Sequence, residues 1–427
     1  MATIDFISFS PSHIYVEGEE IIENPVEWRG SGPIVFDGFP VLSWSNGERW
    51  SVADAWAVSM SHRLEAGDIS VESLVSNAYS VKTYMEFLEE KDLCWSHFPL
   101  ERGERCLVRY RGWLIAARRD RRLAGSTVKS KMSVIVMFYK WVFENGFFDL
   151  PIDVFSCLTE SVRIVNRDGF NRTMIDVASL RIRNAKADRQ TVEGGLMPLS
   201  IDAMNVVMDY AFKVNTPETY LKLGFGFLTG ARLGTICDLK VATFMNAKLA
   251  INSGYYEIEV GPQVHGAPVA TKFGVSGTIP VPIHVYDLIM GYIDSPRRIA
   301  RVASASKQDR GLVFLNVRGK SYSRHGGDRS SSMNVEMAKL RAAAKRDGLS
   351  LQFKFHQARA TFGTMYVANG LLADRNLMQV LGELKEIMLH RSESTTMTYV
   401  KFVQSTEAKA VFANDYMKSS MGLQKKW

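Results

Sequence analysis

Cysteine is scarce and scattered in this chain: Cys94, Cys106, Cys157 and Cys237 fall at wide, irregular spacings. There is no C-x-x-C pair to hold zinc and no dense disulfide framework, so the four read as reduced, structural thiols. No run of about 18 apolar residues occurs, which excludes a helical membrane span. The opening Met1-Ala-Thr-Ile-Asp-Phe6 lacks the basic and apolar regions of a secretory signal, and a cytoplasmic protein is expected. Helix-borne H-E-x-x-H and grouped carboxylates are missing as well, so nothing in the sequence calls for a metal or a cofactor. Gly319-Lys-Ser321 looks like the end of a phosphate-binding loop, but Gly311 stands eight positions before Gly319, too far for that motif, and a basic turn is the better reading. Internal repeats and low-complexity tracts are also absent.

What remains is an ordinary globular composition: 46% hydrophobic, 23% charged and 11% aromatic over 427 residues. That length exceeds one hydrophobic core and predicts two domains with an extra terminal segment. The net charge of +7 and a pI near 9.1 are compatible with a polyanionic partner, without requiring one.

Residues 1–50 carry Gly, Pro and aromatic residues in short alternating runs, a strand-and-turn composition to which no role can be assigned. From residue 51 to 155 the texture is helical. Leu74, Ala78, Val81, Tyr84, Phe87 and Leu88 recur at steps of three and four. A second helix runs from about Cys106 to Arg122. A third has Ser126-Thr127 as N-cap and Val128, Met132, Ile135, Phe138, Tyr139 and Val142 on one face, with Gly146 just beyond its end. Arg118, Arg119, Arg121, Arg122, Lys129 and Lys131 gather at one helix end and the next helix start. They read either as phosphate contacts or as a solvated helix terminus whose cations suit the dipole.

The pattern loosens over 156–196, a linker. Helices resume near residue 200 in a unit predicted over 197–405, followed by a tail over 406–427. Tyr256-Glu-Ile-Glu-Val260 alternates as a half-buried strand, and Pro280 and Pro282 among Ile279, Val281 and Ile283 suit only an edge strand or a strand end. The expected class is therefore mainly α with a small antiparallel β-sheet, an α+β protein.

Three short segments carry the chemistry. Thr229 is expected to cap a helix with Arg232 in its first turn, where guanidinium and helix terminus both favour phosphate. His356 and Arg359 are three apart, so a helix places both where they can share one anion. His390 precedes Tyr399 by nine residues. Each taken singly has a bland reading, as a surface arginine, a chance pair, a core histidine or a packed tyrosine.

Their joint order is far more specific. From about residue 52 to 405 the chain resembles the tyrosine recombinases, the phage-integrase family, on Leu228-Thr-Gly-Ala-Arg-Leu-Gly234, His356-Gln-Ala-Arg-Ala-Thr-Phe362, and His390 with Ser394-Thr-Thr-Met-Thr-Tyr399. The resemblance implies a helical core-binding domain over 51–155 and a catalytic domain over 197–405 that together clamp double-stranded DNA. It implies Arg232, Lys272, His356, Arg359, His390 and Tyr399 as catalytic residues, with Lys272 chosen from a turn-then-strand segment and Lys248 as second choice. It also implies a homotetramer on paired sites, accessory proteins, and the apolar run Ala408–Ala413 docking on a neighbouring copy or in cis. The expected reaction is cutting and rejoining through a 3′-phosphotyrosyl link without metal or cofactor, for a mobile element, on the chromosome. The sequence departs from the family where Leu-Gly normally precedes the second histidine: Met388-Leu389 stands there, with a displaced Leu381-Gly382 upstream, which predicts an insertion before His390. A type IB topoisomerase, a catalytically dead DNA-binding relative and an unrelated basic interaction protein are the alternatives.

Overall fold

In the computed structural model the apolar periodicities become helices, and the chain divides into two units, Met1–Ala187 and Asp188–Trp427. The structure describes residues 1–17, 20–25, 35–66, 68–147, 160–165, 172–177, 180–182, 191–193, 195–214, 216–251, 254–323 and 330–420, with the backbone alone at 12–25, 160–177 and 407–420.

In the first unit β1 (Thr3–Phe9), β2 (Ser12–Glu17), β3 (Glu20–Pro25) and β4 (Phe36–Ser43) form two antiparallel pairs, β1 with β4 and β2 with β3. They lead into α1 (Ser51–Ser59), α2 (Ser61–Glu65), α3 (Val71–Glu90), α4 (Cys106–Arg119) and α5 (Gly125–Glu144). All six periodic residues of α3 and all six of α5 are buried, and with Trp50, Trp56 and Tyr110 they form one aromatic-rich core. Each such side chain contributes about 1.5–3 kcal/mol on burial. Ala2, Phe39 and Leu42 enter the same core, so β1 and β4 pack onto the helices rather than standing apart. Two of its buried hydroxyls pair: Tyr84 and Tyr139 lie 2.7 Å apart, and Tyr139 donates to the Trp95 carbonyl at 2.6 Å. Ser126 and Thr127 do not cap α5. The helix starts at Gly125 with Ala124 at the N-cap, one turn before the expected hydroxyls. Within the stretch read as a linker, β5 (Glu160–Val165) pairs antiparallel with β6 (Arg172–Val177). Cys94, Cys106 and Cys237 are free thiols, and Cys157 lies outside the described residues.

The second unit runs α6 (Ile201–Val214), α7 (Pro217–Thr229), α8 (Leu233–Asp238) and α9 (Val241–Met245). The sheet follows, β7 (Lys248–Leu249), β8 (Tyr255–Val260) and β9 (Gly277–Pro282), then α10 (Ile283–Ile293), α11 (Pro296–Ala303), α12 (Ser331–Arg346), α13 (Gln357–Leu372), α14 (Leu377–Ile387) and α15 (Glu393–Ser420). The strand order is β7-β8-β9 with Ile258 opposite Ile279, so the proline-bearing β9 lies at an edge, where a missing N–H breaks no ladder. Phe225, Ile236, Phe244, Ile258, Ile279 and Phe314 fill the main core. A separate cluster of Val192, Ala360, Val367, Val380, Leu384, Val400 and Val403 holds α13, α14 and α15 together and contains Tyr399. The side chains of Ala408–Ala413, expected to dock, lie outside the described ones. No helix among the described residues is long and apolar enough to cross a membrane.

Candidate active site

Thr229 ends a helix instead of starting one. Its hydroxyl donates back to the Phe225 carbonyl within α7, and Gly230 follows at φ 68°, the left-handed conformation that closes a helix at little cost only for glycine. Arg232 is consequently the N-cap residue of α8. Its Nη1 donates to the Leu389 carbonyl at 3.4 Å. The Gly230 carbonyl in turn accepts from Arg359 Nη1 at 2.6 Å.

His356 is the N-cap of α13 and Arg359 lies in its first turn. What His356 and Arg359 share in the structure is a carboxylate of the chain itself, where a phosphate was expected. Glu193 accepts from Arg359 Nε at 2.9 and 3.0 Å and lies 3.0 Å from His356 Nε2 and 2.8 Å from His390 Nε2. Burial opposes the ionised form of Glu193, but the hydrogen bonds from His356 and His390 and the Arg359 charge outweigh it and hold the carboxyl far below the usual carboxylate range. Arg359 itself is only 2% exposed, and its Nη2 donates to the Met388 carbonyl at 2.9 Å.

His390 reaches the same point from the other side. α14 ends at Ile387, Met388 caps it, and Leu389 takes φ 51°. The Leu389 N–H then bonds to the Glu386 carbonyl and the His390 N–H to the Lys385 carbonyl. Those two bonds define a Schellman turn, with leucine at the position where glycine is favoured. Met388-Leu389 thus makes the turn directly, while Leu381 and Gly382 lie inside α14, which carries the additional length as helix. A missing Cβ at Gly277 on β9 makes room for the Leu389 side chain.

Thr396 Oγ1 lies 2.8 Å from His390 Nδ1. A carboxylate can only accept, so Nε2 carries the proton toward Glu193 and Nδ1 accepts from the threonine hydroxyl. Burial, together with the Arg359 charge, lowers the His390 pKa below its ordinary value despite the pull of Glu193, which suits this neutral tautomer.

Tyr399 is fully buried and stacks on the His390 ring at 6.1 Å and 18°. Its hydroxyl has no hydrogen-bond partner within geometric limits, although the Glu193 charge acts on it. Burial first, then that charge, hold the phenol well above its ordinary pKa against the opposing pull of Arg359 and Arg232. Three groups, His356, Arg359 and His390, therefore meet at one anion, with the Tyr399 phenol beside His390 and Arg232 held at the adjoining Leu389 carbonyl.

No protein-family model and no curated protein matches the chain. Among solved structures, the XerH site-specific recombinase bound to palindromic difH substrate in a post-cleavage complex matches with a TM-score of 0.50 at 14% identity, over 84% of each chain. The chain has the tyrosine recombinase fold. Also similar are the Tn1549 transposon integrase in complex with transposon right end DNA, at a TM-score of 0.48 and 15% identity over 84% of this chain and 98% of that one, and a lambda integrase dimer bound to a COC′ core site, at 0.45 and 14% over 80% and 95%.

Within this fold Lys272 makes no hydrogen bond with the Glu193 cluster among the described residues. It lies in the connection between β8 and β9, exposed in a short 3-10 turn, with its Nζ 5.4 Å from the Phe273 ring, over which Arg391 also lies at 5.8 Å. Lys248 is exposed on β7 and paired with Glu259 at 3.0 Å. Of the basic cluster, Arg118 and Arg119 occupy the last turn of α4 and Arg121 takes φ 58°. Arg122 bonds to Asp120 and covers the Trp113 ring, and Lys129 is the fifth residue of α5. Lys131 is turned inward, bonding to Thr83 on α3 at 2.6 Å.

Glu193, Gly363, Thr396 and Leu389 escape a reading of the sequence. Gly363 follows Arg359 by one helical turn, and a Cβ there would come within 2.6 Å of the Tyr399 ring. Thr396 stands in the quoted Ser394–Tyr399 run and was open to recognition.

Proposed function

We propose that this chain is a site-specific DNA recombinase that cuts and rejoins duplex DNA through a 3′-phosphotyrosyl link at Tyr399. The observation that carries the reading is the convergence of His356, Arg359 and His390 on one carboxylate, with the Tyr399 ring stacked on His390 and Arg232 tied to the neighbouring Leu389 carbonyl. The tyrosine recombinase fold supports it. In this reading the Tyr399 oxygen attacks the scissile phosphorus and the bond to the 5′ oxygen breaks. His356 takes the phenol proton, and Lys272 gives a proton to the departing oxygen. Arg232, Arg359 and the Nε2–H of His390 stabilise the charge that builds on the nonbridging oxygens. The phosphodiester energy stays in the protein link, so a second strand's hydroxyl reseals the backbone. A homotetramer on paired sites, in the service of a mobile element, is the finer part of the proposal, and the basic cluster on α4 and α5 is its DNA contact.

The test is covalent trapping with nicked duplexes from the gene's own neighbourhood, in EDTA. An adduct mapped to Tyr399 and lost in Tyr399→Phe is expected. Tight DNA binding with no adduct on any duplex would favour a binding protein instead, and an adduct on a different tyrosine would overturn the residue assignments.

A further inference from the structure

Glu193 is not among the groups that the proposed reaction uses, yet it makes more contacts with them than they make with one another. Its carboxylate accepts from Arg359 Nε and lies at 2.8–3.0 Å from the Nε2 atoms of His356 and His390. A tetrahedral phosphate needs the same donors. Arg359 gives its Nε–H to Glu193 while Nη1 and Nη2 each spend one N–H on the Gly230 and Met388 carbonyls, so the Nε–H and the Nε2 atoms of both histidines are already held by the carboxylate. A phosphate oxygen and the Glu193 carboxylate therefore compete for one place.

The segment that delivers Glu193 is built to hold it there. Val192 is fully buried in the α13–α15 cluster and exchanges backbone hydrogen bonds with Leu196 at 2.9 Å, which makes Glu193 part of a tight reversal. Just beyond, the Met197 carbonyl accepts from Gln357 and the Leu199 N–H donates to Thr361, both on α13. Glu193 itself takes φ 33°, a left-handed conformation that costs a non-glycine residue free energy and persists only when its surroundings enforce it.

We infer that Glu193 is an intramolecular surrogate for the substrate phosphate: its carboxylate fills the anion site and closes it until that carboxylate is displaced. This inference rests on the strand-transfer reading for the identity of the substrate, but not for the existence of the anion site. Two consequences follow from the contacts. The buried cationic cluster is neutralised before DNA arrives, and Tyr399 is kept protonated beside a negative charge. Cleavage is then coupled to displacement of the carboxylate, and a phosphate that binds too weakly to displace it is not cut.

The test uses the full chain and orthovanadate as the probe, with affinity measured by calorimetry. An occupied site lowers apparent affinity by the fraction of molecules in which it is open. Glu193→Gln, which removes the charge, is expected to bind orthovanadate at least about tenfold more tightly than the parent. The gain should vanish in Glu193→Gln combined with Arg359→Ala. Glu193→Asp, whose shorter side chain cannot span both histidines, should give an intermediate gain and serves if the glutamine variant does not fold. A folded variant that binds orthovanadate no better than the parent would overturn the inference, because a merely structural glutamate predicts a loss. The same proteins are then given the nicked duplexes: a gain in vanadate affinity without any Tyr399 adduct would sink the strand-transfer reading while leaving Glu193 as the occupant of an oxyanion site.

Discussion

Gly363→Ala tests the packing that fixes the nucleophile. A Cβ at position 363 would lie 2.6, 2.8 and 2.9 Å from Cε1, Cζ and Cδ1 of Tyr399. Carbon atoms settle at about 3.5–4.0 Å, so the ring must retreat by about 1 Å. It has little freedom to do so, because the His390 ring stacked on it is held at Nδ1 by Thr396 and at Nε2 by Glu193. Overpacking of this kind costs about 1–3 kcal/mol. Replacing glycine in a helix returns about 1 kcal/mol, so the expected net loss is up to about 2 kcal/mol.

Gly382→Ala is the control. That residue is also helical, on α14, and a Cβ there meets nothing within 4 Å. It should be stabilised by about 0.5–1 kcal/mol. Urea unfolding of the two variants gives the energies, and nitration of tyrosines with peptide mapping reports whether the fully buried Tyr399 has become accessible. Gly363→Ala should melt earlier, show nitrated Tyr399 and form less adduct. If both alanine variants unfold within about 0.5 kcal/mol of the parent and Tyr399 stays unlabelled, the ring is not confined as argued.

Tyr399→Phe removes a buried hydroxyl that makes no hydrogen bond of ordinary geometry among the described residues and lies within reach of the Glu193 charge, so unfolding experiments should find the variant within about 1 kcal/mol of the parent while covalent trapping finds no adduct. His390 has a folded pKa below its unfolded value, so it favours the native state above that unfolded value and the contribution is lost as pH falls through the folded pKa. Melting temperature should therefore decline from about pH 7 to pH 5, and His390→Gln should flatten the decline relative to the parent. A decline of the same slope in both proteins would remove His390 from the account. Lys272→Ala should leave melting unchanged, since the side chain is exposed, and slow adduct formation on ordinary duplexes. A substrate whose leaving group is a 5′ thiol needs no proton on departure and should restore the rate; failure to restore it would deny Lys272 the acid role.

The helices of both units and the five clustered side chains could be read from sequence because each signal is local or ordered. The apolar faces of α3 and α5 repeat every three or four residues, and His356, Arg359, His390 and Tyr399 stand in a fixed order. The start of α8 was misread for a local reason: a threonine before Gly230 serves equally as an N-cap or as the last residue of a helix, and the φ of 68° at Gly230 decides for the end of α7. Other features leave no mark in the chain. Glu193 acts on Arg359 from 166 positions away, out of a stretch whose composition reads as linker. Gly363 matters only because the Tyr399 ring lies over it. Leu389 occupies a left-handed position that propensity assigns to glycine, so the turn it makes looks like an absent motif.

Arg359 explains why the histidine turn persists without its glycine. Its guanidinium joins the end of α7 through the Gly230 carbonyl, the end of α14 through the Met388 carbonyl and the 192–196 reversal through Glu193. Hydrogen bonds from a charged donor contribute about 1.5–3 kcal/mol each, more than the cost of about 1–2 kcal/mol for a left-handed leucine. The Met388 bond holds the residue next to Leu389, and the Leu389 carbonyl is held by Arg232. The two arginines thus fix the backbone of the turn that presents His390, and Arg359 holds the anion as well. A single buried cation can do both only if its charge is matched at all times, by Glu193 when the site is empty of DNA and by a phosphate when it is not. The carboxylate is on this account part of how the site folds, and its exchange for substrate is the step at which folding energy and recognition meet.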